Sequence, residues 1–329
     1  MTERAQPDDA RWMAAALALA SRGTARTTPN PNVGCVLAKD GRVVGRGWTQ
    51  SGGRPHAEAM ALQQAGSAAH GATAYVTLEP CAHVSARGSA CTDGLIAAGV
   101  ARVVAALTDP DPRTAGQGFA RLRGAGIAVT GNASSEPARA MIAPWLSRQT
   151  RARPFVSLKL AVSLDGMIAR EDGQSRWITG DRARAHAHLE RARHDAMLVG
   201  RGTFDADAPR LDVRIAGLEA RSPKRLLLTS GTAPAGWTAC ASVTATDMLP
   251  GIDSILVEGG AQTAAAFLRA GRVDRLLIYR APILIGVGRS ALDDLGLTDL
   301  ADTHDRWRLA DSRMLGSDRL DVYDAVRKD

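Results

Sequence analysis

The feature that most constrains this chain is a rhythm: short β-forming runs alternate with alanine-rich helical stretches, break off once, and then resume. In the first series GCVLA (34–38) and RVVGRGW (42–48) flank Lys39-Asp40-Gly41, and an Asp-Gly dipeptide between such runs predicts a hairpin. WMAAALALA (12–20) is a helix ahead of it. Behind it come a helix over AEAMALQQAG (57–66), a strand over ATAYVTLE (72–79), a helix over CTDGLIAAG (91–99) and a strand over ARVVAAL (101–107). A helix near GFARLRGAG (118–126) then leads into IAVTG. That order predicts a layered α/β domain. From about Gly131 to Arg153 the rhythm lapses into Asn, Ser, Glu and Pro around one helix near ARAMIAPWLSRQ, which puts a domain boundary near 150.

The second series starts with FVSLKLAVSLDG (155–166), a strand running into an Asp-Gly turn. Strands follow at DAMLVG (195–200), RLLLTSG (225–231) and SILVEGG (254–260), the last entering a helix at AQTAAAFLRAG (261–271). DRLLIYRAP (274–282) and RLDVYDAV (319–326) close the series, so the second sheet is expected to be mainly parallel, finished by late strands without helices between them. With 329 residues, two domains are expected, 1–150 and 151–329.

Hydrophobic residues are 45% of the chain and aromatics only 4%, so alanine and aliphatic side chains must fill both cores. No run of eighteen apolar residues is present, and WMAAALALA lacks the basic leader of a secretion signal. A cytoplasmic protein without membrane contact is expected. In that reducing setting the four cysteines serve metal binding, catalysis or burial rather than disulfides. The net charge of +7 is spread out, which suits a phosphorylated small molecule; without a Lys/Arg block, no nucleic-acid partner is expected.

The chemistry concentrates in the first half. His56-Ala57-Glu58 lies where a loop enters a helix, and Pro80-Cys81 where a strand ends before a helix. Zinc favours thiolate and imidazole ligands in a tetrahedral array, and a catalytic site leaves one position to solvent; His56, Cys81 and Cys91 supply three ligands. Glu58, two residues beyond His56, is placed to move protons without being a ligand. The pattern is that of zinc deaminases, with nine residues rather than two between the cysteines. Cys35 and Cys240 have no such company and read as buried thiols.

PNPNVGCVLAKDGRVVGRGW (29–48), HAEAMAL, ATAYVTLEPCAH and LIAAGVARVVAALTDPDPRTAGQGFARLRGAGI closely resemble the deaminase half of a bifunctional riboflavin-biosynthesis family. That family is the diaminohydroxyphosphoribosylaminopyrimidine deaminase/5-amino-6-(5-phosphoribosylamino)uracil reductases. RPFVSLKLAVSLDGMIA, GQSRWITG, HDAMLVGRGTFDADAPRLDVR and SILVEGGAQTAAAFL resemble its reductase half, in the same order. The chain departs from the family in its longer cysteine loop and in Ala208, where members carry a second Asp before Pro.

The resemblance implies a cytidine-deaminase-like three-layer α/β domain followed by a dihydrofolate-reductase-like one. It implies one Zn2+ per chain on His56, Cys81 and Cys91, with Glu58 catalytic, and NADPH in the second domain. NADPH contacts carry over to Ala161, Trp177, Thr203, Asp207, Ser230, Gly260, Ala261, Gln262, Thr263, Ala264, Ala265 and Ala266. The ribosyl-phosphate substrate falls to Ser175, Arg191, Leu211, Arg214 and Glu258. The implied function is hydrolytic deamination of a phosphoribosylamino-pyrimidinone, then reduction of its ribosyl group to ribityl, in a homo-oligomer. Two other readings stay open at this stage: a deaminase whose second half is a non-catalytic module, and a nucleic-acid deaminase.

Overall fold

The computed structural model describes residues 8–83 and 88–327, and the chain divides into two units, Met1–Ala152 and Arg153–Asp329. Among the described residues no helix is long and apolar enough to cross a membrane.

The first unit runs α1 (Asp9–Ala20), β1 (Gly34–Lys39), β2 (Arg42–Trp48), α2 (Ala57–Ala65), β3 (Thr73–Val76), α3 (Cys91–Ala97) and β4 (Arg102–Ala105). It ends with α4 (Gln117–Gly124), β5 (Ala128–Thr130), α5 (Ser135–Met141) and α6 (Ala143–Arg151). The five strands lie in the order β2-β1-β3-β4-β5, with β1 antiparallel to both neighbours and β3, β4 and β5 parallel.

Two glycines set how closely helices approach this sheet. Gly34 pairs with Trp48 and Cys35 with Gly47, so by the two-residue period Gly34 and Gly47 face opposite sides. A Cβ on Gly34 would fall 1.9 Å from the carbonyl oxygen of Ala16 in α1, and one on Gly47 would fall 2.2 Å from that of Ala57 in α2. The bare backbone at both positions lets α1 and α2 press onto opposite faces, which makes the three layers. It also fixes the start of α2. The first turn of α1 is tied down by a buried pair, Asp9 and Arg102, with two contacts of 2.8 Å and a third from the Tyr75 hydroxyl at 3.1 Å.

The single helix expected around ARAMIAPWLSRQ is two, α5 and α6, meeting at Ile142. Pro144 lies in the first turn of α6 and has no N–H to donate back into α5. The strand expected over 72–79 leaves its ladder after Val76, and Thr77 to Pro80 carry the chain to Cys81.

The second unit holds β6 (Phe155–Val162), β7 (Met167–Arg170), α7 (Asp181–Arg191), β8 (Ala196–Gly200), α8 (Arg201–Asp207), β9 (Lys224–Leu228) and β10 (Trp237–Cys240). It continues with β11 (Ser254–Val257), α9 (Ala261–Arg269), β12 (Arg275–Arg280), β13 (Gly288–Ser290), β14 (Trp307–Leu315) and β15 (Asp318–Ala325). The order of the large sheet is β10-β9-β8-β11-β6-β12-β15-β14; the six strands from β10 to β12 are parallel and the last two antiparallel. A separate ladder joins β7 to β13.

Alternate residues of the parallel strands feed two cores. Val156, Leu158 and Leu160 pack with Phe267 of α9, whereas Met197, Val199 and Leu256 pack with Ala183 and Ala187 of α7. The chain steps outward from β8 to β10, returns as β11, and crosses β6 to reach β12. An open parallel sheet places its ligand crevice at the carboxyl ends of the strands where such a reversal occurs.

Candidate active sites

Three segments of the first unit converge at the start of α2. His56 is its N-cap residue, Cys91 opens α3, and Cys81 follows the stretch beyond β3. Their ligand atoms lie within 4.8 Å of one another, with His56 Nδ1 3.3 Å from Cys91 Sγ and 3.7 Å from Cys81 Sγ. The Cys91 N–H donates to Cys81 Sγ at 3.3 Å, and the Thr92 N–H and hydroxyl both donate to the Cys81 carbonyl at 3.2 Å, which locks the two cysteine segments together. On the other side of the ring the Asn30 amide meets His56 Nε2 at 2.9 Å and donates to the Gly53 carbonyl at 2.8 Å. Such an outer contact orients the imidazole, here with Nδ1 toward the sulfurs. Residues 84–87, the middle of the cysteine loop, lie outside the described residues.

One imidazole nitrogen and two sulfurs in reach of a single point fit a tetrahedral zinc with one position left to solvent. The thiols divide a proton between them. A hydrogen bond from Cys91 draws Cys81 down to about 4, and the same bond, with burial, pushes Cys91 up. A bound cation displaces the proton that remains. Glu58, in the first turn of α2, stands outside the ligand set and is 4% exposed; burial pushes its carboxyl up.

A cavity of about 240 Å³ opens onto this cluster, lined by His56, Glu58 and Cys81 and by His83, Asp109 and Trp145. Its polar wall, the loop after β4, hangs from Glu79, which is 3% exposed. The Glu79 carboxylate accepts the backbone N–H groups of Asp109 (3.2 Å), Gly116 (3.0 Å) and Phe119 (3.1 Å). Burial raises the Asp109 carboxyl to about 6. Cys35 and Cys240 are buried outside the cluster. Sequence reasoning missed Asn30, Glu79 and Asp109. The Pro-Asn and Glu-Pro steps flanking the motif carry no local mark of partners about thirty residues away.

In the second unit the carboxyl ends of β6, β8, β9 and β11 gather Ala161, Thr203, Ser230 and the Glu258–Gly260 turn. The Thr203 hydroxyl accepts the Gly260 N–H at 3.1 Å, joining the turns after β8 and β11. Of the stretch from Gly260 to Ala266, Ala264 and Ala265 are buried in the core, so Gly260 to Gln262 form its accessible end at the start of α9. Trp177 is 66% exposed, with the Arg184 guanidinium over its ring, and Asp207 meets Arg176 at 3.3 Å. Ser175 lies in the same 175–177 segment as Trp177, while Leu211 is buried. Ala208 ends α8 in the left-handed region.

Arg191 grips Glu258 with two bonds, at 3.1 and 2.8 Å, and gives a third to the Asp212 carbonyl at 3.2 Å. Arg214 is half exposed beside Asp212, at 3.4 Å. Burial pushes the Glu258 carboxyl up, but the charges of Lys159 and Arg191 more than offset this and hold it below its ordinary value.

Residues 6–107 match the cytidine and deoxycytidylate deaminase zinc-binding region, and residues 154–236 and 246–320 match the RibD C-terminal domain. The riboflavin biosynthesis protein RibD of Escherichia coli is 40% identical, covering 94% of this chain and 97% of its own length. The solved structure of Acinetobacter baumannii RibD (form 1) superposes with a TM-score of 0.86 at 34% identity, covering 97% of this chain and 99% of that one. A Thermotoga maritima structure, described as a diaminohydroxyphosphoribosylaminopyrimidine deaminase/5-amino-6-(5-phosphoribosylamino)uracil reductase, gives 0.86 at 30% identity with the same coverage. Both units, their order and the His/Cys/Cys cluster are accounted for together: the chain belongs to the RibD family of riboflavin biosynthesis proteins.

Proposed function

We infer that the first unit hydrolytically deaminates 2,5-diamino-6-(5-phosphoribosylamino)pyrimidin-4(3H)-one and that the second reduces the ribosyl group of the deaminated product to ribityl with NADPH, in the cytoplasm. The observation that carries the first half is the convergence of His56 Nδ1, Cys81 Sγ and Cys91 Sγ within 4.8 Å next to buried Glu58. Zinc held by those three would supply Lewis-acid activation of water. Glu58 takes one proton from the water as it attacks the amino-bearing carbon and gives it to the adjacent ring nitrogen; it then carries the second proton, from the newly added hydroxyl, to the departing amine, and ammonia leaves. Its raised carboxyl suits it to hold a proton between those transfers. His83 and Asp109 face the same cavity and give the pyrimidine polar partners.

In the second unit NADPH would supply the hydride. The Gly260 to Gln262 start of α9, tied to Thr203, offers backbone N–H groups to the cofactor's phosphates, and exposed Trp177 and Ser230 extend that surface. Arg214 is open to the substrate phosphate, whereas Arg191 is committed to Glu258 and presents that carboxylate in one orientation. A coupled assay on the purified chain tests this reading: the diaminopyrimidine substrate should release ammonia, and the product should then oxidise NADPH. Ammonia release without NADPH oxidation would leave the second unit a non-catalytic module.

A further inference from the structure

The reading of the first unit as a deaminase of a phosphorylated pyrimidine requires something in its cavity to receive a phosphate. Four carboxylates line that cavity, Glu58, Glu79, Asp109 and Asp111, against two arginines, Arg54 and Arg113. Arg113 is already committed, its Nε lying 3.0 Å from each Asp111 oxygen. Arg54 forms no ion pair or hydrogen bond among the described residues. It nonetheless lines this cavity and a neighbouring one that also reaches His56 and Cys91. Its guanidinium is seated against Gly88, where a Cβ would fall 2.7 Å from Arg54 Nη1, so the absence of a side chain at Gly88 makes its room.

We propose that Arg54 recognises the phosphate of the deaminase substrate. The proposal rests on the deaminase reading above and adds the residue that selects phosphorylated over unphosphorylated pyrimidines. A half-buried guanidinium without a counter-ion is completed by an anion from outside, and its planar fork matches a phosphate monoester. The other arginine of the lining is taken up by Asp111, and Asp109 beside it is acidic, so that part of the cavity offers an anion no free cation. Arg54 lies two residues from His56, so a pyrimidine with its reacting carbon at the metal cluster extends its phosphoribosyl arm along the His56 side.

The test compares the phosphorylated substrate with its phosphatase-treated counterpart, using the full chain and its R54A and R54K variants, with zinc content measured on each. The expected result is that the wild-type preference for the phosphorylated compound, as a ratio of kcat/KM values, collapses by about 10- to 100-fold in R54A, mainly through KM. R54K should recover part of it, and ribose 5-phosphate should inhibit wild type more strongly than R54A. An unchanged ratio, whether both rates fall or neither does, overturns the proposal, as does loss of zinc from R54A. A zinc-loaded wild type that deaminates neither compound overturns the deaminase reading itself, which separates the two failures.

Discussion

Glu79 accepts the backbone N–H of Asp109 at 3.2 Å, across thirty residues of chain, while standing only two residues before Cys81 of the His/Cys/Cys cluster. One carboxylate thus fixes the polar wall facing the cluster, with both of its oxygens accepting N–H donors.

Replacing Glu79 with Gln turns one of those acceptors into a donor aimed at an N–H. A buried N–H left unsatisfied costs about 1–3 kcal/mol. We expect E79Q to keep its zinc and raise the KM for deamination more than it lowers kcat, as the wall carrying Asp109 loosens. Steady-state kinetics beside metal analysis measures this, and a variant with wild-type KM would remove Glu79 from the account.

Glu58→Gln leaves His56, Cys81 and Cys91 in place and removes the proposed proton carrier. General acid–base catalysis contributes roughly a hundred- to ten-thousand-fold, so kcat for deamination should drop by about that factor at unchanged zinc occupancy. NADPH-dependent reduction of supplied deaminated intermediate should continue at the wild-type rate.

Gly47→Ala is expected to be more damaging than its size suggests. The new Cβ falls 2.2 Å from the carbonyl oxygen of Ala57, the residue between His56 and Glu58, so the start of α2 must move. Overpacking of this kind costs about 1–3 kcal/mol. The variant should lose zinc affinity along with stability, read by chelator competition and thermal unfolding. Full zinc affinity would show that α2 tolerates the shift.

The Arg191–Glu258 pair gives a pH dependence with a definite sign. Because the Glu258 carboxyl is held below its ordinary value in the folded chain, the unfolded chain takes up the proton first. Its contribution is therefore complete above the unfolded carboxylate value near 4.3 and is lost as pH falls through the folded value. In E258Q the acid limb of stability against pH should flatten. At neutral pH that variant should be less stable by about 3–5 kcal/mol, because Arg191 stays buried without its counter-charge. Urea unfolding of the full chain from pH 3 to 8 measures both effects.

Much of this was legible in the sequence because the informative residues sit at junctions. His56 caps a helix, Cys91 opens one, and the β-type runs account for all five strands of the first sheet and for six of the eight in the large second sheet, β10 and β14 being the two missed. What escaped is tertiary. Asn30 reaches His56 across twenty-six residues, and Glu79 reaches Phe119 across forty. No local periodicity reports such contacts. Gly47 looks like any strand glycine until α2 is laid against it. β14 escaped because it is an edge strand, exposed along most of its length, and so lacks the alternation that marks a half-buried one. The split at Ile142 was available in Pro144, a residue that starts a helix more readily than it continues one.

The most direct test is to follow the zinc-to-chain ratio and the deamination rate together while a chelator strips the metal and zinc is then restored, in wild type and in C91S. The ratio should be one in wild type, the rate should fall and return in step with it, and the C91S chain should hold less zinc throughout. Deamination that persists at full rate in metal-free wild type, or full zinc retention in C91S, would contradict this.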